Sequence, residues 1–273
     1  QECDNYHSRM NDTTRTGRTV LVTGASRGIG AAAALACARA GWDVAVNYTR
    51  DAAAADRVVQ QVRALGRQAL ALQADVADEA AVLAMFARID AQMPPLRGLV
   101  NNAGVVDVQA RVDQTSLARL QRMFAINVFG SFHCAREAVR RMSTKHGGKD
   151  ASMPAGSGQG GAIVNLSSVA ARLGGPGWYV DYAASKGAID TFTVGLAREV
   201  AQEGIRVNGV RPGIIDTDIH ASGGQPDRAH QSAALIPMQR PGSADEVAAG
   251  IVWLLSDESR YATGTIIDIS GGR

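Results

Sequence analysis

Short apolar runs alternate with longer helical segments along nearly the whole of this 273-residue chain, and that alternation limits the possible folds. The apolar runs predict strands at 19–22, 44–46, 69–74, 98–101, 161–166, 205–210 and 265–269. The segments between them predict helices at 28–40, 51–65, 78–93, 115–142, 179–203 and 244–255. Strands that are joined through helices run parallel. We therefore predict the α/β class, as a single doubly wound domain whose seven-stranded parallel sheet carries helices on both faces.

Two polar stretches interrupt this alternation. Residues 145–160 are rich in Gly, Ser, Lys and Pro and precede a strand, so we expect a surface loop at the rim opposite the ligand crevice. Residues 216–237 follow a strand, and we interpret them as a lid over a substrate. We expect the domain to span 18–273, with 1–17 an N-terminal extension that is disordered or left by cloning or processing.

Charge and cysteine usage argue against several kinds of partner. The 28 Lys and Arg residues and 26 Asp and Glu residues leave a net charge of +2, which favours neither nucleic acid nor a membrane surface. No apolar run reaches the roughly 18 residues of a membrane helix. The scattered Cys3, Cys37 and Cys134 offer neither a CxxC pair nor ligand spacing. We therefore expect no metal site and a reducing, cytoplasmic location.

A glycine-rich turn lies between the first strand and the first helix. It reads Thr23-Gly24-Ala25-Ser26-Arg27-Gly28-Ile29-Gly30, a GxxxGxG spacing rather than the commoner GxGxxG. Glycines let a pyrophosphate approach the backbone, and the N–H groups of a helix N-terminus attract its charge. Such turns also occur where only tight packing is needed, so the turn alone leaves both interpretations open.

Further motifs follow the predicted carboxyl ends of strands, the edge at which this architecture binds ligands. Asn101-Asn102-Ala103-Gly104 follows the fourth strand, and Ser168 follows the fifth. The next helix opens with Tyr182-Ala183-Ala184-Ser185-Lys186, and the sixth strand is followed by Pro212, Gly213 and Thr217. All of these motifs are therefore expected at one edge of the sheet.

The spacing of Tyr182 and Lys186 puts both side chains on one helix face, one turn apart. A free tyrosine has a pKa of about 10. A neighbouring ammonium favours the phenolate, so Tyr182 can give a proton to a carbonyl oxygen or take one from an alcohol near neutral pH. Tyr179 lies about two turns from Lys186, and we interpret it as a wall of the substrate mouth.

The TGxxxGxG, NNAG and YxxxK motifs, in this order, resemble those of the short-chain dehydrogenase/reductase family over 18–273. The resemblance implies a Rossmann fold and hydride transfer between a nicotinamide cofactor and a carbonyl or alcohol. It further implies that Lys186 binds the nicotinamide ribose, that Ser168 stabilises the substrate oxygen and that Asn127 holds a water in a proton relay. Ser168 is preferred to Ser167 because alternate strand residues face opposite ways. The catalytic candidates are Asn127, Ser168, Tyr182 and Lys186.

The end of the second strand indicates which nicotinamide cofactor is bound. NAD-selective members of the family usually carry an acidic residue there, whereas this chain has Tyr48, Thr49 and Arg50. No carboxylate repels a 2′-phosphate, and Arg27 and Arg50 can bind one. We therefore predict NADP(H).

The resemblance also implies the remaining cofactor contacts. Asp75 and Val76 are expected at the adenine, 102–104 along the adenosine ribose, and Ile215 and Thr217 at the carboxamide and phosphates. The predicted cofactor set is Gly24, Ser26, Arg27, Gly28, Ile29, Gly30, Tyr48, Thr49, Arg50, Asp75, Val76, Asn102, Ala103, Gly104, Tyr182, Lys186, Pro212, Gly213, Ile215 and Thr217.

Several functions are compatible with these residues. The leading one is an NADP(H)-dependent oxidoreductase acting on a small-molecule carbonyl or alcohol. An NAD(H)-dependent sugar or alcohol dehydrogenase, or a lyase or epimerase on the same scaffold, would keep the same Ser, Tyr and Lys. A non-catalytic nucleotide sensor is disfavoured because neither Tyr182 nor Lys186 is lost. The stretches 182–189 and 210–213 are most similar to bacterial 3-oxoacyl reductase-like and glucose-dehydrogenase-like members.

Apolar residues in the helices predict both core and subunit contacts. One face of the helix at 115–142 is expected to be buried, and its members are Leu117, Leu120, Phe124, Val128 and Phe132. The family resemblance implies a homotetramer formed through the helices at 115–142 and 179–203 and the last strand. Residues 251–255 and 266–269 would then be buried between subunits.

Replacing Arg50 by Asp should shift the cofactor preference toward NADH. The change removes a phosphate partner and adds a carboxylate that repels a 2′-phosphate. Since a hydrogen bond to a charged group contributes roughly 1.5–3 kcal/mol, we expect the Kd for NADPH relative to NADH to rise by about tenfold or more. Nicotinamide fluorescence titration measures both constants, and an unchanged ratio would clear Arg50 of this role.

Overall fold

Seven parallel strands form the centre of the protein. The computed structural model describes residues 17–148, 156–217 and 228–273, and in it the strand order is β3-β2-β1-β4-β5-β6-β7. The strands are β1 (Thr19–Val22), β2 (Asp43–Tyr48), β3 (Ala69–Gln73), β4 (Leu96–Asn101), β5 (Gly161–Leu166), β6 (Ile205–Pro212) and β7 (Ile266–Ile269). The predicted doubly wound α/β fold is confirmed, and each strand lies within two residues of its predicted bounds.

Helices fill the connections between the strands. They are α1 (Gly28–Arg39), α2 (Ala52–Ala64), α3 (Glu79–Gln92), α4 (Leu117–Phe124), α5 (Gly130–Met142), α6 (Ala170–Leu173), α7 (Val180–Val200), α8 (Arg228–Gln231) and α9 (Ala244–Leu255). Single 3₁₀ turns occur at Val112–Gln114, Ala201–Glu203, Ala233–Leu235 and Asp257–Ser259. No helix among the described residues is long and apolar enough to cross a membrane.

Short polar side chains fix where several helices begin. Asp51 accepts a hydrogen bond from the Ala54 N–H at the start of α2, and Asp78 accepts two at the start of α3. Ser243 and Glu246 form a reciprocal capping box at the start of α9. These caps explain why the sequence located the helix starts well.

The two faces of the sheet carry separate apolar layers. On one face α1, α2 and α9 pack on residues that include Val22, Val46 and Val100. On the other face α3, α5 and α7 pack on Leu21 and Leu99. Adjacent strand residues belong to opposite layers because successive side chains alternate, so the strands are apolar throughout.

The order of the strands creates the ligand crevice. The chain adds β2 and β3 on one side of β1, then returns to place β4 on the other side, with Val22 level with both Val46 and Val100. Loops leaving β1 and β4 therefore diverge to opposite faces, and a crevice opens beyond their carboxyl ends. We call this place the switch point.

The predicted buried face of the helix at 115–142 is correct only in part. Val128 is buried as expected, whereas Leu117 is 69% exposed and Phe132 is 47% exposed. The segment is interrupted by a π-helical turn at Ala125–Phe129, which changes the facing of the residues on either side. Hydrophobic spacing also missed the buried Asn127, because that polar side chain is hydrogen-bonded inside the protein.

Residues 251–255 were also expected at a subunit interface. Ile251, Leu254 and Leu255 are instead buried within the core of their own chain, and only the neighbouring Trp253 is exposed. The apolar face of α9 is therefore used to cover the sheet.

Two of the predicted loops are only partly described. The ends of the 145–160 loop meet at the amino end of β5, where Gly158 N–H donates to the Gly147 carbonyl and Gly160 N–H to the Met142 carbonyl. This is the expected rim, opposite the switch point. In the predicted lid, Ile236 packs on Ile214 and Ala229, whereas 218–227 lies outside the described residues, as does 1–16 of the N-terminal extension.

Candidate active site

The glycine-rich turn is held in place by Asn47 on β2. Its side-chain oxygen accepts a hydrogen bond from Gly24 N–H at 3.1 Å, and its backbone oxygen accepts one from Ala25 N–H at 2.7 Å. The Asn47 amide in turn donates to the Leu72 and Ala74 carbonyls of the β3 segment. The turn that precedes α1 is thus anchored to two neighbouring strands.

The backbone of the turn requires its glycines. Gly24 and Gly28 have φ values of +62° and +55°, in the left-handed region that other residues rarely adopt. A Cβ on Gly30 would lie 2.4 Å from the Gly24 carbonyl oxygen, so α1 can approach the strand only without a side chain there. Among the described residues no side chain caps the start of α1.

Thr23 and Asn102 join the two loops at the switch point. Thr23 Oγ1 accepts hydrogen bonds from Asn102 N–H at 3.0 Å and Ala103 N–H at 2.9 Å. The Asn102 side chain donates back to the Thr23 and Gly24 carbonyls, at 2.8 and 3.1 Å. The ends of β1 and β4 are therefore locked together by reciprocal side-chain contacts.

The ends of β2 and β3 lie on the other side of the glycine turn. Tyr48 is half-buried against the core, whereas Thr49 and Arg50 are exposed. Arg27 is exposed in the turn itself. Asp75 is exposed after β3, and Val76 is buried against Gly130 of α5. These predicted adenosine-side residues all lie at the carboxyl edge of the sheet.

A cavity of about 390 Å³ lies at the same edge, beyond β4, β5 and β6. It is bordered by ten of the predicted site residues, which are Ile29, Asn102, Gly104, Ser168, Tyr182, Lys186, Pro212, Gly213, Ile215 and Thr217. The chain thus brings the predicted catalytic Ser, Tyr and Lys into one concave space. We call it the site cavity.

The two neighbouring serines have different surroundings. Ser167 is buried, and its hydroxyl donates to the Lys186 carbonyl oxygen at 3.1 Å. Ser168 is half-buried, and its hydroxyl oxygen accepts a hydrogen bond from Ala170 N–H at 3.1 Å, which leaves the hydroxyl hydrogen to a different acceptor. This arrangement supports the choice of Ser168 as the residue that faces a ligand.

Lys186 is buried beside Tyr182. Its Nζ donates to the Leu166 carbonyl oxygen at 2.6 Å and lies 5.8 Å from the centre of the Tyr182 ring. Burial lowers the pKa of the Lys186 ammonium to about 8, against the raising influence of the Asp190 carboxylate. At neutral pH most of this lysine is therefore still charged, next to the phenol.

Asn127 lies in the π-helical turn between α4 and α5. Its side-chain oxygen accepts from Val105 N–H at 2.8 Å, and its amide donates to the Val105 carbonyl at 3.0 Å and Ser185 Oγ at 3.1 Å. A Cβ on Gly104 would lie 3.4 Å from the Asn127 oxygen and 3.5 Å from Lys186 Nζ. Asn127 therefore fixes the backbone that lies against the lysine, and its relay role stays a prediction.

Several residues of the site were not found from the sequence. Asn47 follows directly after the predicted strand at 44–46 and was given no role, although a polar residue next to an apolar strand was the available signal. Val106 and Trp178 line the site cavity from connecting loops, and Leu173 lines it from α6. Loop residues of this kind have no periodicity that would place them. Tyr179, expected at the mouth, and Ile214, expected in an apolar substrate pocket, also line the cavity.

The site fits a dinucleotide. The uncapped start of α1 offers N–H groups to a phosphate, and a Cβ on Gly28 would lie 3.6 Å from Thr217, so the glycine leaves a narrow space beneath that residue. Among the described residues no group of three or more His, Cys, Asp and Glu side chains could hold a metal ion.

Comparison with known proteins matches nearly the whole chain. A family model described as Enoyl-(Acyl carrier protein) reductase matches residues 24–273. The chain is 54% identical over 253 residues to the uncharacterized oxidoreductase YgfF of Escherichia coli, covering 93% of this chain and 98% of YgfF. It is 35% identical over 260 residues to the 3-oxoacyl-(acyl-carrier-protein) reductase FabG of Staphylococcus aureus, covering 93% and 97% respectively.

A solved structure agrees with these sequence matches. A short chain dehydrogenase from Burkholderia cenocepacia, in complex with NADP, is 35% identical and has a TM-score of 0.83. The match covers 95% of this chain and 99% of that one. The two structures therefore share their fold over nearly all of the matched length.

Replacing Thr23 by Val should loosen the switch point while keeping the shape of the side chain. Two backbone N–H groups lose their acceptor, which should lower the free energy of unfolding by roughly 1–3 kcal/mol. Because the glycine turn then keeps only the Asn102 side-chain bonds to the Thr23 and Gly24 carbonyls, we also expect weaker NADPH binding. Thermal unfolding and fluorescence titration test both effects, and Thr193→Val, in the buried body of α7, is the control that should lower stability alone.

Proposed function

This chain belongs to the short-chain dehydrogenase/reductase family, and from that membership we propose that it is an NADP(H)-dependent oxidoreductase that interconverts a small-molecule carbonyl and a secondary alcohol. The single observation that carries the proposal is the meeting of Ser168, Tyr182 and Lys186 in the site cavity, beside the glycine turn. The use of a nicotinamide cofactor is common to the family as a whole. The choice of NADP(H) and the roles of the residues are part of the proposal.

The cofactor would lie across the switch point. The start of α1, with Gly28 and Ile29, would hold the pyrophosphate, and the exposed Arg27 and Arg50 would hold a 2′-phosphate. The nicotinamide half would lie in the site cavity near Ile215 and Thr217, and it supplies or accepts the hydride when bound. Two observations support NADP(H): the B. cenocepacia relative is in complex with NADP, and no carboxylate follows β2 before Asp51, which instead caps α2.

The protein's own groups handle the proton. Tyr182 would donate its phenolic proton to the carbonyl oxygen during reduction and take a proton from the alcohol during oxidation. The charged Lys186 beside it stabilises the phenolate and so lowers the energy of that transfer. The Ser168 hydroxyl would donate a hydrogen bond to the same substrate oxygen as negative charge develops there.

The lining of the site cavity supports an apolar body on the substrate. Val106, Leu173, Trp178 and Ile214 contribute apolar side chains around the catalytic groups. A substrate carbonyl attached to an aliphatic or ring framework would bury that framework against them.

We also propose a homotetramer in the cytoplasm. Exposed large apolar side chains occur on α4 (Leu117), in the π-helical turn (Phe129), on α5 (Phe132) and on α9 (Trp253). Large apolar side chains grouped on a surface favour subunit contacts. Cys37 and Cys134 are buried, which raises the pKa of each thiol to about 12 and keeps it unreactive, in keeping with a structural role in a reducing compartment.

The proposal is tested by following NADPH oxidation with a panel of ketones and aldehydes that have apolar frameworks. Turnover with at least one carbonyl is expected, and the reverse reaction should reduce NADP with the matching alcohol. A folded protein that binds NADPH and turns over no member of a broad panel in either direction would contradict the oxidoreductase.

Replacing Tyr182 by Phe should abolish most turnover while leaving cofactor binding nearly normal. General acid–base catalysis contributes roughly 10²–10⁴-fold, so we expect kcat to fall by at least about 10²-fold. The Kd for NADPH should stay within about threefold of the unchanged protein, since only one hydroxyl is removed. Steady-state kinetics and fluorescence titration measure the two quantities.

Tyr179→Phe is the matched control. Tyr179 borders the same site cavity but lies two turns away from Lys186 on the sequence. The Tyr179→Phe variant should keep a kcat within a few-fold of that of the unchanged protein. Equal losses in both variants would move the proton-transfer role away from Tyr182.

A further inference from the structure

An ion pair joins α7, the helix that carries Tyr182, to α4. Asp181 immediately precedes Tyr182 in the first turn of α7. Arg119 of α4 donates two hydrogen bonds to the Asp181 carboxylate, from Nε at 2.7 Å and from Nη2 at 3.2 Å. Such a bidentate contact fixes the relative orientation of the two side chains as well as the distance between them.

Both members of the pair are removed from water. The Asp181 side chain is 4% exposed and that of Arg119 is 10% exposed. Burial alone would raise the pKa of the Asp181 carboxyl, but the hydrogen bonds and the charge of Arg119 hold that pKa below its usual range. The pair is therefore ionised at neutral pH, and loss of either partner leaves a charge without its counter-ion.

The pair also lies against the tyrosine's backbone and holds the loop above the site. The backbone N–H groups of Tyr182 and Asp181 help to lower the pKa of the Asp181 carboxyl. Arg119 Nη1 donates to the Val108 carbonyl at 2.7 Å, so the same guanidinium ties the loop that follows β4. That loop borders the site cavity through Val106.

The loop has two further attachments, one on each side. Its start is fixed by Asn127, which pairs with both backbone groups of Val105. Farther on, Ala110 N–H donates to the Trp178 carbonyl at 3.0 Å, just before α7 begins. Arg119 holds the point between these attachments and connects it to Asp181.

We propose that Arg119 and Asp181 are positioning residues that set the start of α7, and with it Tyr182, against the loop that roofs the site cavity. This inference rests on the proposed function, because it concerns the placement of the group that moves the proton. Neither residue touches the reacting atoms. Their effect on catalysis is to hold Tyr182 in reacting geometry, where an error of about 1 Å can cost about 10²-fold in rate.

Asp181→Asn and Arg119→Gln are the direct test. Each variant should lower kcat by about 10- to 100-fold while the Kd for NADPH stays within about threefold, because the pyrophosphate and adenosine contacts lie beyond β1, β2 and β3. Arg119→Lys keeps the positive charge but loses the bidentate contact. Its kcat should therefore lie between that of these variants and that of the unchanged protein. It also keeps the test available if a buried unpaired charge prevents folding.

A matched ion pair elsewhere separates positioning from stability. Arg141 of α5 and Asp90 of α3 form a similar forked contact at 2.7 to 3.0 Å, with side chains 14% and 15% exposed. Arg141 also keeps Glu137 as a partner at 2.9 Å, so Asp90→Asn should lower thermal stability somewhat less than Asp181→Asn does, and it should leave kcat within twofold. Amide exchange at Val108 and Ala110 should speed up in Asp181→Asn and stay unchanged in Asp90→Asn.

The pH profile adds a measurement that a purely structural role would not move. Arg119→Gln leaves a negative charge next to Tyr182 and should shift the kcat profile to higher pH, whereas Asp181→Asn leaves a positive charge and should shift it to lower pH. In the described part of the chain, the other charged or titratable groups near the pair or the phenol include Asp107, Arg122, Tyr179, Lys186 and Arg273, and all of them are unchanged in both variants. Opposite shifts are therefore assignable to the pair.

The outcomes separate the two proposals. An unchanged protein without turnover on any carbonyl contradicts the proposed function before the pair is tested. An active protein whose Asp181→Asn and Arg119→Lys variants keep full kcat overturns the inference. It is equally overturned if kcat falls as much in Asp90→Asn, or if the pH profile is identical in all variants.

Discussion

The site depends on how the ends of β1 and β4 are joined at the switch point. Parallel strands leave their carboxyl-end backbone groups at one edge, and reversing the direction of strand addition opens a crevice there. Thr23 and Asn102 close the contact between the two strands with reciprocal hydrogen bonds, while Asn47 holds the glycine turn from the β2 side. Because these contacts fix both loops, the uncapped start of α1 and the site cavity can face the same ligand.

In the proposed function, the residues that bind the adenosine end of the cofactor and the residues that catalyse the reaction lie on different halves of the sheet. The β2 and β3 ends carry exposed, mostly polar residues suited to an adenosine phosphate, whereas β5, β6 and α7 enclose buried Lys186 and the half-buried Ser168 and Tyr182. Burial has a cost for Lys186, because it lowers the pKa of the ammonium toward neutrality. The same burial strengthens the influence of that charge on the phenol beside it, since water screens it less.

The fold could be predicted from local signals in the sequence, whereas many of the expected site residues came from the family resemblance. The helix caps Asp51 and Asp78 can be recognised from the few residues around each of them. The same is true of the glycines with positive φ and of the YxxxK spacing. Other features depend on tertiary context. The buried Asn127 in the π-helical turn pairs with Val105 and Ser185 from other elements, so hydrophobic spacing passed over it and included the exposed Leu117 and Phe132. The contact of Arg119 with Asp181 joins residues 62 apart, and Val106 and Trp178 reach the site cavity from aperiodic loops. No local pattern encodes these contacts.

Direct titration of the purified protein with NADPH and with NADH, followed by nicotinamide fluorescence, tests the central claim most directly. The proposed dinucleotide site at the switch point, with Arg27 and Arg50 near its adenosine end and no carboxylate at the end of β2, predicts saturable binding with NADPH at least about tenfold tighter than NADH. Tighter binding of NADH would contradict the assignment of the arginines while keeping the site. Binding of neither nucleotide by a folded protein would contradict the site itself.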